Sequence, residues 1–286
     1  MRKTWIVLAV TVIAVSAAAY ATVQWGGQVT KHSASPSSAA TSPLPEPSPS
    51  PGRCVTSAPS GSCGPYSYRL ISWNNGYNTN VGNNMWGCGS GNCGPQRVTA
   101  YNPGNWSVTS SQPAGNTAVL TYPNVQQVFA KWDGSGNVAL TGFSSITSEF
   151  AEAMNSNSGT DAEAAYDIWL SGTSHNEVMI WVDNAGRGSG GATLYKHATI
   201  GGQAFTVYTY GSGEIIVSLD HNETSGTVDI LTTLRWLQAQ GLVSSSAGLG
   251  QVDFGWEICS TGGKPERFAI SRYKITSTCV TSGCTG

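Results

Sequence analysis

The chain predicts an all-β domain: a jelly-roll sandwich of two packed antiparallel sheets with one α-helix laid against it. Three observations carry that class. Short runs of β-branched and aromatic residues recur between Gly, Asn, Ser and Pro, enough for about a dozen strands. Most runs follow one another without a helix-period segment between them, which argues for antiparallel sheets packed face to face. A single late segment repeats its apolar residues at helical spacing.

In chain order, the first element is a leader. Arg2 and Lys3 precede an apolar run from Trp5 to about Ala19, and Ala19-Tyr20-Ala21 fits a small-x-small cleavage site. A retained anchor competes, because apolar residues continue to Val23, although the run is marginal for a span of about 20 residues. Cleavage and export are the expected outcome, with no membrane insertion afterwards. Ser and Pro dominate from Ser33 to Gly52, a composition that buries no core and favours extended, semi-rigid chain. The expected organisation is a leader over 1–21, a spacer over 22–52 and one folded domain over 53–286.

Strand-like runs then follow at Arg97–Tyr101, Trp106–Val108, Ala118–Tyr122, Val125–Ala130, Ser144–Phe150, Ala164–Leu170 and Glu177–Val182. Further runs are Ala204–Tyr210, Glu214–Leu219 and Arg267–Ile275. Gly211-Ser212-Gly213 is a hairpin signal between two of them. From Thr227 to Gln240, Val228, Leu231, Leu234 and Leu237 recur every three residues, Ile230 widens the stripe, and Gly241 is a C-terminal stop. This predicts the one amphipathic helix, packed on the outside of a sheet.

Seven cysteines, Cys54, Cys63, Cys88, Cys93, Cys259, Cys279 and Cys284, fit an oxidising compartment. Zinc competes, since Cys88-x4-Cys93 and Cys279-x4-Cys284 are tolerable ligand spacings, but no matching His pattern accompanies them. Disulfides are expected, and the odd count leaves one thiol over, for which Cys259 is the candidate. Net charge is −2 and only 10% of residues are charged, with no basic stripe. Phosphate backbones need clustered Lys and Arg, so nucleic acid is excluded as a partner. Many Trp, Tyr, Asn, Gly, Ser and Thr suit a surface that meets neutral hydroxylated polymers, and equally suit any secreted sandwich.

Two runs carry chemistry. In Asn176-Glu177-Val178-Met179-Ile180-Trp181, alternation puts Glu177, Met179 and Trp181 on one face. In Val252-Asp253-Phe254-Gly255-Trp256-Glu257-Ile258-Cys259, Glu257 lies opposite Trp256 and Ile258. A glutamate on a half-exposed strand is ordinarily a solvated surface residue. Two of them, each beside Trp in a chain this poor in charge, point to the paired carboxyls of a glycosidase.

The motifs Asn84-Met85-Trp86-Gly87, Tyr166-Asp167-Ile168-Trp169, Glu177-Val178-Met179-Ile180-Trp181 and Gly255-Trp256-Glu257-Ile258 resemble, in that order, those of glycoside hydrolase family 12. The resemblance spans roughly residues 63 to 276. It implies a jelly roll with a cleft open at both ends and a late helix. It also implies a secreted, retaining endo-β-1,4-glucanase, expected as a monomer, that uses no cofactor or metal. By that resemblance Glu177 matches the nucleophile, Glu257 the general acid/base, and Asp167 an aspartate that contacts the nucleophile. Asn84, Trp86, Met179 and Trp181 match substrate-binding positions; from the residues alone Met179 reads as core. Cellulose-type chains or soluble β-glucans are the implied substrate. A xyloglucan-specific hydrolase is the rival within the family, and a non-catalytic carbohydrate-binding sandwich the rival outside it.

Other signals lead nowhere. Gly186-Arg187-Gly188-Ser189-Gly190-Gly191 fits a dinucleotide-binding glycine pattern but precedes a strand-like run, not a helix, and reads as a loop at the cleft rim. No Gly-x-Ser-x-Gly elbow occurs, and with four His in the chain a serine triad has little support. His175 reads as a turn residue.

Overall fold

A computed structural model describes residues 53–54, 68–74, 77–129, 137–211 and 213–280. The leader, the Ser/Pro spacer and the Cys63 and Cys284 positions lie outside the described residues. Strands in chain order are β1 (Arg53–Cys54), β2 (Tyr68–Asn74), β3 (Tyr77–Gly82), β4 (Gln96–Asn102), β5 (Asn105–Ser110), β6 (Asn124–Val128), β7 (Val138–Ala139) and β8 (Phe143–Met154). There follow β9 (Thr160–Ser171), β10 (Glu177–Ala185), β11 (Thr193–Ile200), β12 (Gln203–Thr209), β13 (Glu214–Leu219) and β14 (Ser225–Asp229). The helix α1 (Ile230–Ala239) precedes β15 (Gly248–Thr261) and β16 (Glu266–Cys279).

These form the expected pair of sheets. One has six strands in the order β1-β4-β5-β16-β8-β14. The other has β11-β12-β13-β10-β9-β15-β6-β3-β2, with β7 added on β15. Neighbouring strands are antiparallel except β10 and β13, which run parallel. That single parallel pair departs from the all-antiparallel expectation: the excursion through β11 and β12 returns the chain to β10 in the same direction, a choice made by a connection and not by strand composition.

Alternation explains the packing. On β9 and β15, Tyr166, Ile168, Val252, Phe254, Trp256 and Ile258 point into the space between the sheets and are buried there. Tyr166 stacks on Phe254 at 4.4 Å, and Trp106 meets Trp256 edge-on at 5.2 Å. Each such side chain removed from water contributes about 1.5–3 kcal/mol. Both β9 and β15 are buried along nearly their whole length: one face meets the core, and on the other Glu163, Ala165, Asp167 and Asp253 are buried as well.

Two expectations need correction. Ala118–Tyr122 is not a strand; it makes one isolated bridge, Thr121 to Ile258, since its hydrogen bonds go to β15 on one side and to Asn84 and Gly87 on the other. The helix starts at Ile230 and not at Thr227. Ser225–Asp229 pairs with β8 as β14, so Val228 is buried as a strand residue that happens to fall on the three-residue repeat. Asp229 caps the helix, its Oδ1 accepting from the Thr232 N–H at 2.9 Å, and Gly241 follows with φ of 75°. Cys88 and Cys93 form a disulfide, which removes the zinc alternative for that pair. Cys279 is disulfide-bonded as well, and Cys259 is a buried free thiol.

Candidate active site

The face of the ten-stranded sheet turned away from the core is a row-by-row surface set by register. β9 lies at its centre. Glu177 sits opposite Trp169, Met179 opposite Asp167, and Trp181 opposite Ala165. On the other flank Asp253 pairs with Asp167, Gly255 with Ala165, and Glu257 with Glu163. The rows continue outward to Gln126 and Asn124 on β6 and to Asn80 on β3. On the far side Glu214, Ile216 and Ser218 of β13 continue the rows of Glu177, Met179 and Trp181. Period-two alternation in this register places Glu177, Asp167 and Glu257 on one face.

Met179 and Trp181 form, with Ala165 and Ile216, a small apolar floor separate from the main core. They are 1% and 4% exposed. Trp86 contrasts with them: it opens a short 3-10 helix and is 51% exposed. The segment carrying it runs beside residues 120–122, with Tyr122 N–H donating to the Asn84 carbonyl at 2.8 Å and Gly87 N–H to that of Leu120 at 2.9 Å. Residues 120–121 in turn bond to Ile258 beside Glu257, so Asn84 and Trp86 belong to a wall at that end of the face. The four proposed binding residues thus divide into floor and wall.

Charge accumulates on the floor. The Glu177 carboxyl is pushed up to about 7, first by burial and then by the charge of Glu257. Asp167 is driven well up by burial and, among charges, most by Glu177; its Oδ2 accepts from Trp169 Nε1 at 3.0 Å while Oδ1 has no protein partner. Burial also raises Asp253, against hydrogen bonds from Gln126 and Gln251 that favour its ionised form. Oxygens of Asn124, Gln126, Asp167 and Asp253 and the Trp181 N–H are buried on this face without protein partners. A lone group of that kind costs about 1–3 kcal/mol; gathered on one face, they suit hydroxyl groups that donate and accept.

Several members of this face escaped the sequence reading. Asp253 and Glu163 were reachable by the alternation that placed Glu257 and Asp167, counted four residues back along each strand. Glu214 opens a run just as Glu177 does; its carboxyl is held up at about 8 by burial, then by Glu177 and Glu257. Tyr122 reaches across to the Ala165 carbonyl at 3.1 Å, and burial together with Asp167, Asp253 and Glu257 raises its phenol. Arg187, in the glycine-rich loop, lies 3.1 Å from Glu163, 3.8 Å from Glu257 and 3.9 Å from Asp161. No local pattern announced it.

A jelly roll whose outer sheet face carries paired glutamates over an apolar floor, with a tryptophan at its wall, has the make-up of a carbohydrate-cleaving enzyme. The model of glycosyl hydrolase family 12 matches residues 76–277, and the chain belongs to that family: it is a glycoside hydrolase. It is similar to the xyloglucanase domain of NopAA, a type three effector from Sinorhizobium fredii in complex with cellobiose. Identity there is 27% and the TM-score 0.60, over 75% of this chain and 97% of that one. It resembles a family 12 xyloglucanase from Bacillus licheniformis at 20% identity and TM-score 0.62, over 75% and 98% of the two chains. It also resembles Trichoderma harzianum endoglucanase 3 at 21% identity and TM-score 0.63, over 76% and 96%. No curated protein sequence matches it.

Proposed function

We propose that the protein is a retaining endo-β-1,4-glucanase that cuts internal bonds of β-glucan chains, with Glu177 as nucleophile and Glu257 as general acid/base. The observation that carries this reading is the register: Glu177 on β10 and Glu257 on β15 flank β9 on one face of one sheet. In the first step Glu257 protonates the leaving glycosidic oxygen while Glu177 attacks the anomeric carbon. In the second, Glu257 takes a proton from water, whose oxygen displaces Glu177. A carboxyl held near 7 would by itself suit the acid; the nucleophile role of Glu177 rests on the family motif, and Asp167 beside it offers a site for the proton that Glu177 must lose. Met179 and Trp181 support the sugar at the cleaved bond, and Asn84 and Trp86 bind further along the chain.

Xyloglucan is a second reading, favoured by the 27% identical xyloglucanase domain. Reducing-sugar release from carboxymethyl-cellulose, mixed-linkage glucan and xyloglucan separates the two, and no release from any of them would overturn both. The apolar leader, the spacer and the disulfide-bonded cysteines support action outside the cell.

Stereochemistry tests the mechanism. Two displacements at one carbon give net retention, so proton NMR before mutarotation should show the β-anomer first. An initial α-anomer would mean a single attack by water between carboxyls roughly 6.5–9.5 Å apart, and would recast Glu177 as a base. Glu177→Gln should still fold and bind glucan yet lose most hydrolysis; activity within a few-fold of wild type removes it from the mechanism.

A further inference from the structure

The Glu257 end of the face holds more charge than the reaction requires. Glu163 is the register partner of Glu257 and is 0% exposed. Neither of its carboxyl oxygens receives a hydrogen bond from a protein donor. What they meet are the carboxyl of Glu257 and the Arg187 guanidinium, whose Nε lies 3.1 Å away as an ion pair and not as an aligned hydrogen bond. The same guanidinium reaches Glu257 at 3.8 Å and Asp161 at 3.9 Å, and its Nη1 donates to the Thr117 carbonyl at 3.0 Å.

The loop is built to hold that cation in place. Arg187 N–H donates to Asn184 Oδ1, and Asn184 Nδ2 donates back to the Arg187 carbonyl, both at 2.9 Å. Gly186 before it has φ of 79°, and a Cβ there would stand 2.5 Å from the Thr160 carbonyl. Only glycine lets the loop lie this close to β9. The arginine side chain is 10% exposed.

Two carboxyls face to face in a dry site cannot both be ionised at little cost, and a buried acceptor without a donor is expensive. One proton between them removes both penalties, and a fixed cation balances the charge that stays. We infer that Glu163 and Arg187 are positioning residues of the acid/base: Glu163 shares one proton with Glu257, and Arg187 neutralises the carboxylate left behind. The inference rests on the proposed role of Glu257. When the glycosidic C–O bond breaks, the shared proton leaves through Glu257 for the departing oxygen, and both carboxyls are then ionised beside Arg187, which offsets part of the added charge. When water attacks, its proton returns to Glu257.

Other groups face Glu257 as well. From β9 comes Asp167, from β10 Glu177, from β13 Glu214, while Asp161 meets the same guanidinium. Cys259 lies on its own strand, and Tyr122 and Tyr210 approach from the flanking segments. These are common to wild type and variants, so differences between variants isolate Glu163 and Arg187.

The test is the pH profile of kcat/KM on phenyl β-cellobioside, whose poor leaving group needs the acid, for Glu163→Gln, Arg187→Gln and Arg187→Lys. Its alkaline limb reports loss of the acid's proton in the free enzyme. Glu163→Gln offers Glu257 an N–H and should move that limb to lower pH by about one unit, while Arg187→Gln should move it up by about as much. Arg187→Lys should restore most of the wild-type position. Limbs that overlay wild type, or that shift in the same direction, would overturn the inference even if melting temperature and kcat fall. Should Glu163→Gln not fold, the two Arg187 variants decide by the same criterion. Glu257→Gln checks the reading beneath: it should lose turnover of the phenyl glycoside yet keep glycosylation by 2,4-dinitrophenyl β-cellobioside. Full activity on the phenyl glycoside would remove the acid/base role itself, a failure distinct from unmoved limbs.

Discussion

At the scale of single residues, the face divides its tryptophans by exposure. Trp181 is part of the floor, wedged among Met179, Ala165 and Ile216 with its N–H free for a ligand. Trp86 stands open on the wall, the arrangement in which a ring stacks on the C–H face of a sugar. Trp86→Ala should therefore weaken binding of soluble glucans by about 1–3 kcal/mol, taking the stacking of bases on aromatic rings as the analogy. Isothermal titration on a Glu177→Gln background reads it without turnover. Unchanged affinity with a lowered melting temperature would return Trp86 to a packing role. Glu177, Asp167 and Glu257 were joined in the sequence by the family motifs; alternation gave each a face on its own strand but not which strands lie side by side. Arg187 was not legible, because its place depends on a loop folding back to β9 through Gly186, and alternation says nothing about loops.

At the scale of elements, β9 is the organising strand. Its small residues Ala162 and Ala164 pack toward the core, while Ala165 leaves room on the opposite face between Trp181 and Gly255. Its register with β10 and β15 fixes which carboxyls meet, and a one-residue slip would turn all of them into the core. The strands themselves were readable because composition and punctuation mark them locally. Their partners were not, and the parallel β10–β13 pair is the clearest case: nothing in Glu177–Val182 or Glu214–Leu219 specifies direction. The helix was readable from Ile230, Leu231, Leu234 and Leu237, while its start was misplaced because Val228 shares the repeat. The cap sets that boundary. Asp229→Ala removes the acceptor for the Thr232 N–H and should cost about 1 kcal/mol of stability, measured by urea unfolding. The helix packs on β8 and on β11 at the edge of the cleft sheet, away from the β10, β9 and β15 rows, so kcat should not change; a loss of activity matching the loss of the cap would mean that α1 supports the site.

For the whole molecule, the concentration of dry carboxyls sets how stability varies with pH. Burial, aided by like charges, holds Glu177 up to about 7 and Glu214 up to about 8, and raises Asp167, Asp253 and Glu163. On the core side Glu152, which accepts from Trp256 Nε1 at 3.0 Å, is held up at about 8, chiefly by burial. In the unfolded chain these groups return to ordinary carboxylate values. Between about pH 5 and pH 8 the folded protein therefore binds more protons than the unfolded one, and stability falls as pH rises. The contribution is complete below the unfolded values and is lost as pH climbs through the folded ones. Melting temperature should be highest near pH 5 and decline towards pH 8 and above, the opposite of a protein whose carboxylates are held ionised by salt bridges. Glu152→Gln keeps an acceptor for the Trp256 N–H but has no proton to lose, so it should flatten part of that decline while leaving the cleft untouched. Calorimetric scans of both proteins across this range decide the matter. A melting temperature that stays level or rises from pH 5 to pH 8 would mean that the cleft carboxyls are already ionised in the fold, with water or counter-ions supplying what the protein does not.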